Sequence, residues 1–115
     1  MSGFDFAAFR AAFEARDAAR WLAFYAPDAE WLEYRAANPP RAPNVMRGHD
    51  EIGAFLRGVA AAPVEITIEN EVIDGRRAAF TIIVEREDGR RIVENTIIDH
   101  RDGLVVRQID VEAWD

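Results

Sequence analysis

Phe6, Phe9 and Phe13 recur at steps of three and four residues near the start of the chain, the spacing of one apolar face of a helix. The pattern predicts a helix from about Phe4 to Arg16, with Ala in the gaps, a residue that favours helix. Asp17 is placed to cap a second, shorter helix, Ala18 to Tyr25, whose apolar side is Trp21, Leu22 and Phe24. Pro27-Asp28 ends it. Ala29 to Arg35 alternates as a strand, with Trp31, Glu33 and Arg35 on one face and Leu32 and Tyr34 on the other. The next stretch, Ala36 to Asn44, carries Pro39, Pro40 and Pro43 and reads as a stiffened loop. It is either the border of a pocket mouth or a rigid surface connector. Val45 to Gly48 is a short extended piece. Gly48-His49-Asp50-Glu51 opens a third helix through Ile52, Phe55, Leu56 and Val59, ending before Pro63. Acidic residues in its first turn suit the helix dipole.

From Val64 onward the pattern is strand and turn. Val64 to Ile73, Arg77 to Arg86, Arg91 to His100 and Leu104 to Trp114 are separated by Asp74-Gly75, Asp88-Gly89 and Asp102-Gly103. Asp-Gly between alternating apolar runs is a strong hairpin signal, so these runs predict a four-stranded antiparallel meander. Helices followed by a meander give an α+β fold, with the three helices of the N-terminal half packed on one face of the sheet. In the last hairpin, Val93, Asn95, Ile97 and Asp99 share a face, and Ile92, Glu94, Thr96, Ile98 and His100 share the other. Across the turn, Val105, Arg107, Ile109, Val111 and Ala113 oppose Leu104, Val106, Gln108, Asp110, Glu112 and Trp114. Neither strand sorts into an oily and a wet face. Carboxylates among apolar residues on both sides point to a sheet packed on both faces, with a polar-lined hollow on one.

Composition narrows the options. The 115 residues suit one domain, 1–115. With 21 acidic and 14 basic residues, the net charge of −7 repels phosphate backbones, which argues against a nucleic-acid partner. Without cysteine there is no disulfide or thiolate chemistry. No apolar stretch approaches membrane-spanning length, and Met-Ser-Gly-Phe-Asp-Phe lacks the features of a signal peptide. The expectation is a soluble cytoplasmic protein with no membrane partner. His49 and His100 have no ligand spacing, and no Ser-His-Asp order, phosphate loop or dinucleotide fingerprint is present. No metal or cofactor is expected.

The element order, with F-Y-A-P-D-A-E-W (24–31), R-G-H-D-E-I-x-x-F-L (47–56), I-I-D-H (97–100) and E-A-W-D (112–115), resembles the nuclear transport factor 2-like superfamily, in its SnoaL-like and ketosteroid isomerase-like branch. The resemblance covers nearly the whole chain. It implies a cone-shaped α+β roll of the cystatin-like kind. A curved antiparallel sheet would wrap three helices on its concave face, with a pocket between, and the outer sheet face would form a homodimer. It also implies residue roles. Glu33 stands where ketosteroid isomerases carry their carboxylate base, and Asp99 matches the protonated Asp that helps hold the oxyanion. Phe9 stands where those enzymes place a Tyr. In limonene epoxide hydrolase-like members, Asp99 and Glu112 match two acids, and Ile97 replaces an Arg.

The candidate catalytic residues are therefore Asp99, Glu33 and Glu112. The candidate pocket is Phe9, Trp31, Phe80, Ile82, Asn95, Ile97, Gln108, Asp110 and Trp114. Apolar walls and neighbouring carboxylates both raise an acid's pKa. One acid would stay protonated while another is ionised, a pair able to move a proton on an apolar carbonyl, polyketide or epoxide compound. Each residue also has a plainer reading. In it Asp99 leads into the turn by accepting backbone hydrogen bonds, Glu33 pairs with an Arg at the surface, and Asp110 and Glu112 form a solvated strand face. The chain is thus read as a cofactor-independent isomerase, cyclase, dehydratase or hydrolase, or alternatively as a non-catalytic binding or dimerisation domain.

Overall fold

A computed structural model describes residues 3–115; the part of the signal-peptide reading that rests on Met1 and Ser2 lies outside them. Three helices and six strands follow in the order α1 (Phe6–Ala15), α2 (Ala18–Leu22), β1 (Tyr25–Tyr34), β2 (Asn44–Arg47), α3 (Gly48–Ala61), β3 (Val64–Ile73), β4 (Arg77–Arg86), β5 (Arg91–Arg101) and β6 (Leu104–Trp114). All strands join one open sheet in the order β2-β1-β6-β5-β4-β3.

Local chemistry sets the helix ends. The Asp5 carboxylate accepts from the Ala8 N–H, and Asp17 accepts from Arg20, as expected of N-caps. Between the two helices Arg16 turns left-handed (φ 54°) and its N–H closes on Ala12 and Phe13 carbonyls. The second helix stops at Leu22, short of the expected Tyr25. From there the backbone is claimed by the sheet: the Phe24 carbonyl accepts from the Val105 N–H, and Tyr25 pairs with Val105. Gly48 starts α3 at φ 74°, where a Cβ would stand 3.3 Å from the Pro27 carbonyl oxygen.

The meander β3–β6 is antiparallel throughout, and Asp102 and Gly103 both take positive φ (54° and 82°), the geometry of a two-residue hairpin turn. The sheet as a whole is mixed, however, not purely antiparallel. β1 lies parallel to β6, and no turn joins them whose chemistry could have revealed that pairing. β2 folds back on β1 as a short antiparallel edge.

One irregularity decides which side chains face inward. Next to the turn, His100 pairs with Val105, but the following partners are Asp99 and Arg107. Val106 is therefore an extra residue, a β-bulge. Unbroken pairing outward from the turn would set Asn95 opposite Asp110 and Ile97 opposite Gln108. The bulge sets Thr96 opposite Asp110 and Glu94 opposite Glu112 instead. A one-residue slip exchanges the faces of a strand.

The helices cover the inner face, α1 and α2 against each other and α3 across β1 and α2. Phe6, Phe9 and Phe13 pack edge to face on Phe80, and Phe9 and Phe13 meet Tyr25 and Trp21 at tilted angles, in a continuous aromatic core. The two helical glycines of α3 differ. At Gly58 a Cβ meets nothing within 4 Å, whereas at Gly53 it would meet Leu22 Cδ2 at 3.1 Å and Arg57 Nη1 at 3.2 Å. Gly58→Ala is expected to raise stability by about 0.5–1 kcal/mol. Gly53→Ala is expected to gain less than half of that, a comparison chemical denaturation will make directly.

Candidate functional site

The inner face of the sheet is built in rows. Trp31, Gln108, Ile98 and Ala78 form one; Glu33, Asp110, Thr96 and Phe80 form the next; Glu112, Glu94 and Ile82 the third; Trp114, Ile92 and Val84 the last before the strand ends. Four carboxylates thus occupy two adjacent rows on β1, β5 and β6. None of the four meets an arginine within 4.0 Å among the described residues.

Asp110 is fully enclosed. Trp31 Nε1 donates to its Oδ2 at 2.7 Å; Thr96 Oγ1 and Gln108 Nε2 donate to its Oδ1 at 2.9 and 3.2 Å. Gln108 in turn accepts from the Tyr25 phenol, whose own ionisation burial pushes well above the usual range. Burial raises Asp110 to about 6, held from going further by the donors Gln108, Trp31 and Thr96. Glu33 is nearly buried and accepts from Asn44 Nδ2 at 2.9 Å. Burial, opposed by that bond and reinforced by the charges of Glu112 and Asp110, pushes it up to about 8. Glu94 is also raised well above the carboxylate range, first by burial and then by Asp110 and Glu112. At neutral pH Glu33 therefore keeps its proton while Asp110, raised less, carries charge; Glu94 is pushed in the same direction as Glu33. Glu112 accepts from Trp114 Nε1 at 2.8 Å.

Glu33, Glu94 and Glu112 line a cavity of about 470 Å³ between the sheet and α3. Its remaining walls are apolar, among them Trp21, Trp31, Phe55, Ile82 and Trp114. Arg35 and Arg86 stand at the strand-end rim. Glu33, Asp110 and Glu112 each offer an oxygen within 4.8 Å of the others, a spacing that a hard divalent cation also accepts.

Of the residues marked in the sequence, Glu33, Glu112, Trp31, Ile82 and Trp114 come together on the cavity wall. Asp110 and Gln108 lie behind that wall, fully buried. Asp99 does not reach the site. It faces outward and pairs with Arg77 at 3.1 Å. Asn95 and Ile97 share that outer face, Ile97 half exposed. β5 alternates without a break from the inward-facing His100 and Ile98, which puts Thr96 and Glu94 inward and Asn95, Ile97 and Asp99 outward; the bulge at Val106 turns Asp110 and Glu112 of β6 to that same inner face. Phe9 and Phe80 belong to the aromatic core and not to the cavity wall. No residue from Ala36 to Pro43 lines the cavity, so the proline-rich loop is a connector, although its ends place Arg35 at the rim and Asn44 on Glu33. Glu94 was missed. The signal was available in its position two residues from both Ile92 and Thr96, but the mixed pattern did not show which face of β5 points inward.

Three substitutions separate these environments. Asp99→Asn should change unfolding free energy by less than about 0.5 kcal/mol, since it loses only an exposed ion pair. Asp110→Asn should cost about 2–3 kcal/mol, because an amide cannot accept from all three donors. For Glu33, whose pKa rises from 4.5 unfolded to about 8 folded, the folded state keeps a proton that the unfolded chain releases. Stability should therefore fall as pH rises through that window. The loss should be on the order of 5 kcal/mol. Urea unfolding at several pH values should show this slope in wild type and a flatter one in Glu33→Gln.

No curated protein matches the sequence. Solved structures match in fold. A candidate ketosteroid isomerase from Kribbella flavida superposes with a TM-score of 0.77 at 20% identity, over 95% of this chain and 73% of its own. A nuclear transport factor 2-like protein of unknown function from Mesorhizobium loti superposes with 0.79 at 17% identity, over 91% and 84%. A SnoaL-like protein of unknown function from Burkholderia thailandensis gives 0.68 at 19%, over 93% and 89%. At these identities the likeness is one of fold. The SnoaL-like domain model matches residues 6–108, nearly the whole chain, and with the six-stranded sheet wrapped over three helices it establishes that this chain belongs to the SnoaL-like family.

Proposed function

We propose that this protein binds a small apolar molecule in the cavity and acts on it by acid/base chemistry that needs no cofactor. The observation that carries this reading is the meeting, on one wall of an otherwise apolar cavity, of Glu33 and Glu112, with carboxylate oxygens within 4.8 Å. Burial keeps the Glu33 carboxyl protonated at neutral pH. Glu33 donates its proton to, or hydrogen-bonds, a carbonyl or epoxide oxygen. Glu112 takes a proton from the adjacent carbon or from an attacking water. Asp110 stays out of contact with substrate, and its fixed charge favours the neutral forms of Glu33 and Glu94. Isomerisation, cyclisation, dehydration and hydrolysis all use such a pair. The acid role expected of Asp99 passes to Glu33.

A second reading, ligand binding without turnover, is favoured by two substitutions. Phe9 stands where the isomerases have a Tyr, and Ile97, on the outer face, stands where epoxide hydrolases have an Arg. The outer sheet face also exposes Val93, Ile97 and Val111 (41%, 51% and 58%), which supports assembly as a homodimer through that face.

Carbon-detected NMR titration of the carboxylates tests the first reading. Glu33 should titrate near 8, and Asp110→Asn should lower that value by removing a neighbouring charge. With apolar carbonyls, polyketide esters and epoxides as substrates, Glu33→Gln should lower kcat at least about 100-fold. A Glu33 titration in the ordinary carboxylate range would overturn the assignment.

A further inference from the structure

The cavity has a second polar end that the carboxylate chemistry does not use. Arg35, one residue past the end of β1, continues the inward-facing series Trp31 and Glu33 and lines the cavity. Its guanidinium stacks over the Trp114 ring, 4.4 Å from the centroid, and its Nε donates to Asn38 Oδ1 at 3.0 Å. It meets no carboxylate within 4.0 Å among the described residues, although the chain carries 21 acidic residues. Six arginines elsewhere are ion-paired. Arg35 is thus held in place by an aromatic face and a side-chain amide, with its terminal nitrogens free. This is a pre-organised donor fork. Arg86, at the end of β4, adds a second unpaired guanidinium to the same rim.

We propose that the cavity takes an amphiphilic monoanion: an apolar body between α3 and the sheet, an oxygen at Glu33, and a carboxylate or equivalent anion on the Arg35 fork at the rim. The proposal rests on the reading of this cavity as a small-molecule site and adds the class of ligand. The spacing follows from the rows. Arg35 lies two residues beyond Glu33 and reaches over the Trp114 row, so the two polar ends of the ligand are separated by roughly 7–10 Å. Apolar walls such as Phe55 and Ile82 fill the interval. A ligand of one or two fused rings, or a chain of similar length, spans it. With a net charge of −7 the surface as a whole does not attract anions. The preference would come from this one fork.

The matched probes are 6-hydroxy-2-naphthoate and the neutral 6-hydroxy-2-naphthamide, compared by calorimetry. The acid should bind wild type about tenfold more tightly than the amide, the increment of a charge-assisted hydrogen bond. Arg35→Gln should abolish that preference while leaving amide affinity within about twofold, and Arg35→Lys should restore part of it. Arg77→Gln, on the outer face, should change neither. Gly58→Trp places its side chain into the cavity and should remove binding of both. Equal affinity of the two probes, or a preference that survives Arg35→Gln, overturns the proposed anion end and leaves the pocket reading standing. Failure of both probes to bind wild type overturns both.

Discussion

Asp110 is closed off from solvent in the middle of the inner sheet face, and a carboxylate there is costly unless its oxygens are satisfied. The donors that satisfy it come from three strands: Trp31 on β1, Thr96 on β5 and Gln108 on β6 itself. The parallel pairing of β1 with β6 is what brings the indole N–H over. A network of this kind is unforgiving of partial assembly, so it ties the first strand of the fold to the last two. Trp31 then stacks flat on Tyr25 and edge-on to Phe55, which carries the constraint into α3 and the aromatic core.

The same enclosed charge sets the chemistry of its neighbours. Glu33 and Glu94 sit close enough to Asp110 to feel its field, and both are already short of water. Two ways of disfavouring ionisation therefore act together. The result is a cavity floor on which Glu33 and Glu94 are shifted toward their neutral forms. Such a floor tolerates an apolar ligand where four ionised acids would hold a water cluster.

Most of the architecture is legible from the chain. The Phe6/Phe9/Phe13 spacing, the Asp17 cap and the Asp-Gly turns specify α1, α2 and the meander with nothing but local rules. The β1–β6 pairing is not legible, because no local signal links residues so far apart. The site is legible only in part. Glu33 and Glu112 are marked by alternation and by family resemblance, and they do meet at the cavity. Asp99 and Glu94 exchange places because the inward face of β5 is the one that holds Ile92, Thr96, Ile98 and His100, and the Val106 bulge brings Asp110 and Glu112 of β6 onto that same face. Both faces of β5 mix aliphatic and polar residues, Ile92 and Ile98 with Glu94, Thr96 and His100 on one and Val93 and Ile97 with Asn95 and Asp99 on the other, so the hydrophobic pattern could not choose between them.

That bulge has an implication for how the site could change over generations. Pairing Val106 into the ladder opposite Asp99, with no residue lost, would leave every functional side chain in the sequence. It would turn Arg107, Ile109 and Val111 toward the helices, and Gln108, Asp110 and Glu112 toward solvent. Loss of the bulge at constant strand length is therefore the change to which this cavity is most exposed. Two relatives with the same acidic residues, only one of them bulged here, would not share the same interior.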